Sequence, residues 1–186
     1  YGDPIASEVP TKETYKGNVS PRSDRACYDE SKRLGETLCY LFEKTYGMTV
    51  NVVRPFNVYG PGMLPNDFRA LPNMALAISK GERIKVYGTG NQTRTFCYIT
   101  DALEAALLVL LSSGNSDVYN IGNPTPEISM KGLAELVCNL VPENSGFEIV
   151  PHPTEYPSDE PTRRCPDISK IEGSFGFQPK VGLVQG

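Results

Sequence analysis

Tyr28 and Lys32 stand four residues apart in a segment of helical periodicity, so their side chains leave one face of the helix, one above the other. A phenol titrates near ~10 in water, and a neighbouring ammonium favours the phenolate by opposite charge. Such a pair can pass a proton near neutral pH. The same spacing serves as plain surface packing on many helices, so chemistry here needs further groups. Arg94 and Arg164 each carry a planar fork of donors that suits diphosphate oxygens in a way a lysine does not, although an exposed arginine is otherwise a solvated surface group. Asn57 lies just past a strand-like run, where open α/β sheets place ligands, or else hydrogen-bonds its own backbone in a turn. Tyr87, before the turn Gly88-Thr89-Gly90, reads either as a ring for stacking on a ligand or as core packing.

These residues need elements to hold them. Residues 26–46 form a strong helix, with Leu34, Leu38, Leu41 and Phe42 at helical spacing and Gly47 to stop it. That apolar stripe centres about 100° around the helix from the Tyr28/Lys32 face, which leaves the pair free for a cleft. A buried strand follows at 49–53, ended by Arg54-Pro55. The pattern continues with a helix at 70–79, a strand at 84–87, a helix at 101–112 opened by a capping box of Asp101 and Glu104, and a strand at 118–121. Ser129 caps a helix through about Val141, and 147–150 is a further strand. Strands alternating with helices predict a parallel α/β sheet. The first 24 residues read as a long loop, and 151–166, with Pro151, Pro153, Pro157, Pro161 and Pro166, as an extended surface segment able to close over a ligand.

Composition narrows the function classes. With 39% apolar and 22% charged residues over 186 positions, a core is expected without help from a disulfide or metal. Lys plus Arg is 18 against 22 Asp plus Glu, with no block of like charge, which argues against a nucleic-acid partner. No apolar run nears the ~20 residues of a membrane span. Cys27, Cys39, Cys97, Cys138 and Cys165 are odd in number and widely spaced, with His152 the one imidazole, so neither a zinc site nor a disulfide framework is expected. Reduced thiols suit a cytoplasmic setting, Cys27 is expected to be a small buried thiol, and His152 is given no role.

The runs Ala26-Cys27-Tyr28-Asp29-Glu30-Ser31-Lys32 and Val53-Arg54-Pro55-Phe56-Asn57-Val58-Tyr59-Gly60-Pro61-Gly62 resemble the extended short-chain dehydrogenase/reductase family of nucleotide-sugar enzymes. Val86-Tyr87-Gly88-Thr89-Gly90, Gln92-Thr93-Arg94-Thr95-Phe96, Tyr119-Asn120-Ile121-Gly122 and Arg163-Arg164-Cys165-Pro166-Asp167 continue the likeness in order, over essentially the whole chain. Within the family the likeness is greatest to the UDP-glucuronate decarboxylase branch, through Tyr1-Gly2-Asp3-Pro4, Arg25-Ala26-Cys27-Tyr28-Asp29-Glu30 and Gln92-Thr93-Arg94. The sister activities, a 4-epimerase or a 4,6-dehydratase, stay open, as does a non-catalytic nucleotide-binding module.

The resemblance implies NAD as cofactor, held in part by Tyr28, Lys32 and Pro55, with Tyr28 as general base toward a sugar hydroxyl and Lys32 lowering its pKa. It implies a UDP-linked sugar contacted by Asn57, Arg69, Tyr87, Gln92, Arg94 and Arg164, with the Tyr87 ring against uracil. For a decarboxylase it implies oxidation at C4, loss of carbon dioxide and re-reduction. It also implies a homodimer through helix 26–46. The fold implied is the carboxyl-terminal part of a Rossmann-like doubly wound parallel sheet, in residues 1–60, with a smaller α/β substrate-binding domain mainly in 61–186. No G-x-x-G-x-x-G or G-x-G-x-x-G turn occurs, so the amino-terminal dinucleotide-binding half is absent from these residues and the chain is expected to be inactive alone.

Overall fold

Short β-branched runs supply the strands, and amphipathic segments cover them. The computed structural model describes residues 1–64, 67, 69–112, 116–154, 157 and 160–186. In chain order, α1 (Ala26–Tyr46) is followed by β1 (Val52–Pro55), β2 (Val58–Tyr59), α2 (Ala70–Ser79), β3 (Ile84–Tyr87), β4 (Thr93–Arg94) and β5 (Cys97–Tyr98). Then come α3 (Ile99–Leu110), β6 (Val118–Ile121), β7 (Ile128–Ser129), α4 (Met130–Leu140), β8 (Phe147–Val150), β9 (Arg163–Arg164) and α5 (Ser169–Phe175). The first 24 residues are irregular apart from a short 3-10 turn at Ala6–Glu8.

Parallel pairing dominates, as the alternation of elements predicts. β1 runs beside β6 with Val52 opposite Val118, β2 beside β5, and β3 beside β8 with Ile84 opposite Phe147. β4 lies between β9, which is parallel to it, and β7, which is antiparallel. β6 is the strand partner of β1 among the described residues. One core gathers Ala105, Val109, Ile121, Ile171 and Phe177 between α3, β6 and α5. A second gathers Met74, Ile84, Val86, Leu133 and Ala134 between α2, β3 and α4. Ser129 caps α4 as its sequence position predicts, accepting a hydrogen bond from the Gly132 backbone N–H at 3.0 Å.

Three expectations need correction. The buried strand expected at 49–53 lies at Val52–Pro55, paired in register with β6, and it is not buried, since Val53 and Pro55 are exposed and Val52 and Arg54 half-buried. The Asp101/Glu104 pair is no capping box. β5 runs straight into α3, so the capping position falls on the extended residue Tyr98 and Asp101 lies inside the first turn. Its carboxylate, 2% exposed, instead accepts hydrogen bonds from the backbone N–H groups of Lys180 and Val181, both at 2.9 Å, while Glu104 accepts from Lys180 Nζ. Cys27 is exposed rather than buried, because the described residues cover α1 fully only at Ala26 and Asp29.

Asp101→Ala leaves two backbone donors of the carboxyl-terminal segment without their acceptor, at a cost on the order of 2–3 kcal/mol. Urea denaturation will show that loss, and Asp101→Asn, which keeps one acceptor oxygen, will lose less. In the proline-rich stretch, residues 155, 156, 158 and 159 lie outside the described residues. Its end is the short strand β9, an element not expected from the sequence.

Candidate functional site

The first turn of α1 presents Tyr28, 55% exposed, with two cations against its ring. Lys32 Nζ stands 5.7 Å from the ring centroid and the Arg25 guanidinium carbon 5.2 Å from it. The spacing of four therefore does place phenol and ammonium together, on an open surface. The apolar stripe on the same helix is open as well, with Leu34, Leu38, Leu41 and Phe42 between 46% and 58% exposed.

α1 is tied down at its middle. Arg54, on β1, grips Glu36 with Nε and Nη2, each at 2.7 Å, and donates Nη1 to the Glu13 carbonyl at 3.0 Å. The Tyr1 hydroxyl also donates to Glu36. Burial pushes the Glu36 carboxyl upward, but the hydrogen bonds from Arg54 and Tyr1 and the Arg54 charge outweigh it and hold its pKa below the usual range. Burial, then Glu36, raises the Tyr1 hydroxyl.

From Tyr28 the chain of contacts continues through Arg25 to a cluster of charges. Arg25 Nη1 bonds Glu160 Oε2, Arg94 Nη2 lies 3.1 Å from Glu160 Oε1, and Arg164 Nη2 lies 3.9 Å from that same oxygen. Asp29, buried, stands 3.7 Å from Arg25 Nε. Arg94 is 8% exposed and also donates to the carbonyls of Thr93 and Pro161. Burial lowers the Arg164 pKa and the charges of Arg94 and Arg25 act in that same direction, against Glu160 and Asp29. Strand alternation explains which arginine of β9 faces the cluster. Arg163 turns away, held by Glu127 at 2.6 and 2.7 Å, and Arg164 turns inward.

The structure thus brings Tyr28, Lys32, Arg94 and Arg164 into one connected group. Asn57 sits at its edge: its backbone is left-handed, with φ 43°, and Nδ2 donates to the Thr95 carbonyl at 2.8 Å, next to Arg94. That is a link to the residue just after β4, not a bond within its own turn. Gln92 belongs to a neighbouring cavity of about 610 Å³, lined by Gly88, His152, Glu160 and Thr162 among others, and Tyr87 lies beside it in the chain without lining it. Gln92 Nε2 donates to the Tyr87 carbonyl at 3.2 Å, and the Tyr87 ring stacks on His152 with centroids 6.3 Å apart. Gly88, at φ +70°, takes a backbone that favours glycine, and a Cβ there would come within 2.2 Å of His152 Nε2 and displace that ring. Arg69, just before α2, is engaged by Asp67, whose hydrogen bonds raise its pKa with a smaller electrostatic contribution from Tyr28. Pro55 is exposed at the end of β1.

Sequence reasoning gave no role to Arg25, Glu160 or His152. Arg25 lay within a quoted motif, and Glu160 is 135 residues away from it in the chain. Among the described residues no group of three or more His, Cys, Asp or Glu side chains is placed to hold a metal ion, and no helix is long and apolar enough to cross a membrane.

Acid will loosen this framework. Burial acts upward on Glu36, Asp117 and Asp167, but hydrogen bonds from Arg54, Lys170 and Ser169 prevail; for Glu127 the Arg163 bond is itself the largest influence, and all four pKa values are lowered. A carboxylate depressed in the folded state contributes stability above its unfolded pKa of about 4 and loses it as pH falls through the folded value. Melting temperatures are expected to be insensitive to these groups above about pH 5 and to fall steadily below about pH 4. Glu36→Gln should flatten part of that slope.

Comparison with known proteins places these features in a wider group. A profile described as the NAD dependent epimerase/dehydratase family matches residues 1–122. Over all 186 residues the chain is 43% identical to UDP-glucuronic acid decarboxylase 1 of Xenopus tropicalis, covering 42% of that protein. It spans about half the length, 40% to 52%, of the curated relatives it matches. Among solved structures, dTDP-glucose 4,6-dehydratase from Bacillus anthracis in complex with NAD superposes with a TM-score of 0.82 at 26% identity, over 100% of this chain and 55% of that one. UDP-glucuronic acid 4-epimerase from Bacillus cereus, in complex with UDP-glucuronic acid and NAD, gives 0.75 at 26% identity, over 86% and 49%.

Proposed function

Because the chain belongs to the NAD-dependent epimerase/dehydratase family, we propose that it supplies the acid–base helix and the sugar-nucleotide contacts of an enzyme acting on a UDP-linked sugar, with UDP-glucuronate decarboxylation as its reaction. One observation carries this reading: Lys32, Tyr28 and Arg25 lead in turn to Glu160, on which Arg94 and Arg164 also converge, so that an acid–base pair adjoins a cluster of guanidinium groups. Residues 1–60 would belong to the dinucleotide-binding domain and 61–186 mainly to the substrate domain.

Each residue has a task in this reading. Arg94 and Arg164 bind the diphosphate through charge-assisted forks, and Asn57, Arg69 and Gln92 complete the sugar-nucleotide contacts. Tyr87 offers its ring to uracil on the face not taken by His152. Tyr28 takes the proton from the sugar C4 hydroxyl, with the Lys32 ammonium held 5.7 Å from its ring centroid. NAD, when bound, supplies reversible hydride acceptance. Tyr28, Lys32 and Pro55 are all exposed, which fits them to its nicotinamide end. A ketone at C4 makes the C5 carboxylate a β-keto acid, and carbon dioxide leaves from it. The open apolar stripe of α1 suits pairing with a second copy in a homodimer.

The test is incubation of this chain joined to an amino-terminal dinucleotide-binding half, since residues 1–186 alone are expected to be inactive, with NAD and UDP-glucuronate. Release of carbon dioxide with formation of UDP-xylose is expected. A C4-epimerised UDP-sugar without carbon dioxide would replace the decarboxylase by an epimerase, and UDP binding without turnover would replace the enzyme by a nucleotide-binding module.

A further inference from the structure

Resting on the diphosphate reading of the arginine cluster, we infer that Glu160 is the built-in counter-anion of that subsite, holding the guanidinium donors until a ligand phosphate takes them over. The three arginines that face Glu160 are drawn from remote parts of the chain, one before α1, one on β4 and one on β9, and they converge on its two carboxylate oxygens. A carboxylate and a phosphate offer guanidinium forks the same in-plane oxygen geometry, so both compete for the same N–H groups.

Charge decides what happens when a phosphate arrives. Three guanidinium groups face the carboxylates of Glu160 and Asp29, a formal balance of plus one. A diphosphate brings at least two negative charges, so with Glu160 still in place the cluster would become anionic in a largely desolvated setting, where like charges repel strongly. Glu160 has somewhere to go. It lines the cavity of about 610 Å³ as well as the cluster, so its carboxylate has open space beside it into which to turn. Asp29 is buried and stays beside Arg25, so Glu160 is the exchangeable member of the pair. The role is one of positioning and affinity: Glu160 keeps the arginines ordered and soluble in the free protein, and its departure sets the cost of binding.

Calorimetric titration of UDP into the wild type, Glu160→Gln, Glu160→Asp and Arg94→Gln at fixed ionic strength tests this. Glu160→Gln is expected to bind UDP about tenfold more tightly, a change of about 1.4 kcal/mol. Glu160→Asp, which keeps the charge, should stay close to the wild type. A purely structural role would weaken binding, so an unchanged or weaker Glu160→Gln overturns the inference. In that case a weakened Arg94→Gln leaves the diphosphate reading standing, whereas an unchanged Arg94→Gln removes the subsite and both ideas with it. Inorganic pyrophosphate gives the second readout. It should raise the melting temperature of Glu160→Gln more than that of the wild type, and should restore the fold if the variant is unfolded without an anion; failure of either overturns the inference.

Discussion

Joined to a dinucleotide-binding half, the Tyr28→Phe chain is expected to turn over roughly 10²–10⁴-fold more slowly, the range that a positioned general base contributes. The substitution is unusually clean here. The half-exposed ring remains for Arg25 and Lys32 to rest on, so the first turn of α1 and the charge cluster behind it keep their geometry, and only the proton-accepting oxygen is lost. UDP affinity should therefore change little while kcat collapses. Lys32→Met makes the complementary point: it removes the ammonium that stands 5.7 Å from the ring centroid, so turnover should fall while UDP affinity stays near the wild-type value. Turnover of Tyr28→Phe at the wild-type rate would remove the phenol from the chemistry.

Arg94→Gln will weaken UDP binding by roughly 10–100-fold, corresponding to the loss of one charged hydrogen-bonding group. It will also lower stability by about 3 kcal/mol, the lower end of what breaking a buried ion pair costs, because Arg25 and Arg164 still face Glu160. Arg94→Lys restores the charge but not the fork. One ammonium cannot replace bonds to the Thr93 carbonyl, the Pro161 carbonyl and Glu160 from a planar group, so it should fall between glutamine and arginine in both measurements. Equal UDP affinity in all three proteins would take Arg94 out of the binding site.

Long periodic elements were legible before any coordinates. The helix at Ala26–Tyr46, the helix at Ala70–Ser79, the strand at Ile84–Tyr87 and the Ser129 cap all lie where apolar spacing and capping chemistry put them. What failed was decided at a distance. Asp101 has the local look of a helix opener, but its partners are backbone groups 79 and 80 residues further on. The two-residue strands β4, β7 and β9 exist only because they find one another, and no local signal marks them. Tyr28, Lys32, Arg94 and Arg164 were legible from side-chain chemistry and motif. Glu160 was not, because a glutamate in a proline-rich segment carries no sign of the three arginines it will meet. Cys27 was misjudged for a related reason: burial near a helix start depends on what packs over it, and here little does.

Arg25 and Tyr28 occupy a single helical turn, about 4.5 Å apart along the axis. The guanidinium at one end reaches Glu160 and the phenol at the other is exposed, with no hinge between them. A substitution that shifts Arg25 should therefore disturb Tyr28 as well, because the guanidinium rests against its ring 5.2 Å from the centroid. Slack between the two groups is taken up by side-chain rotation alone, not by the backbone.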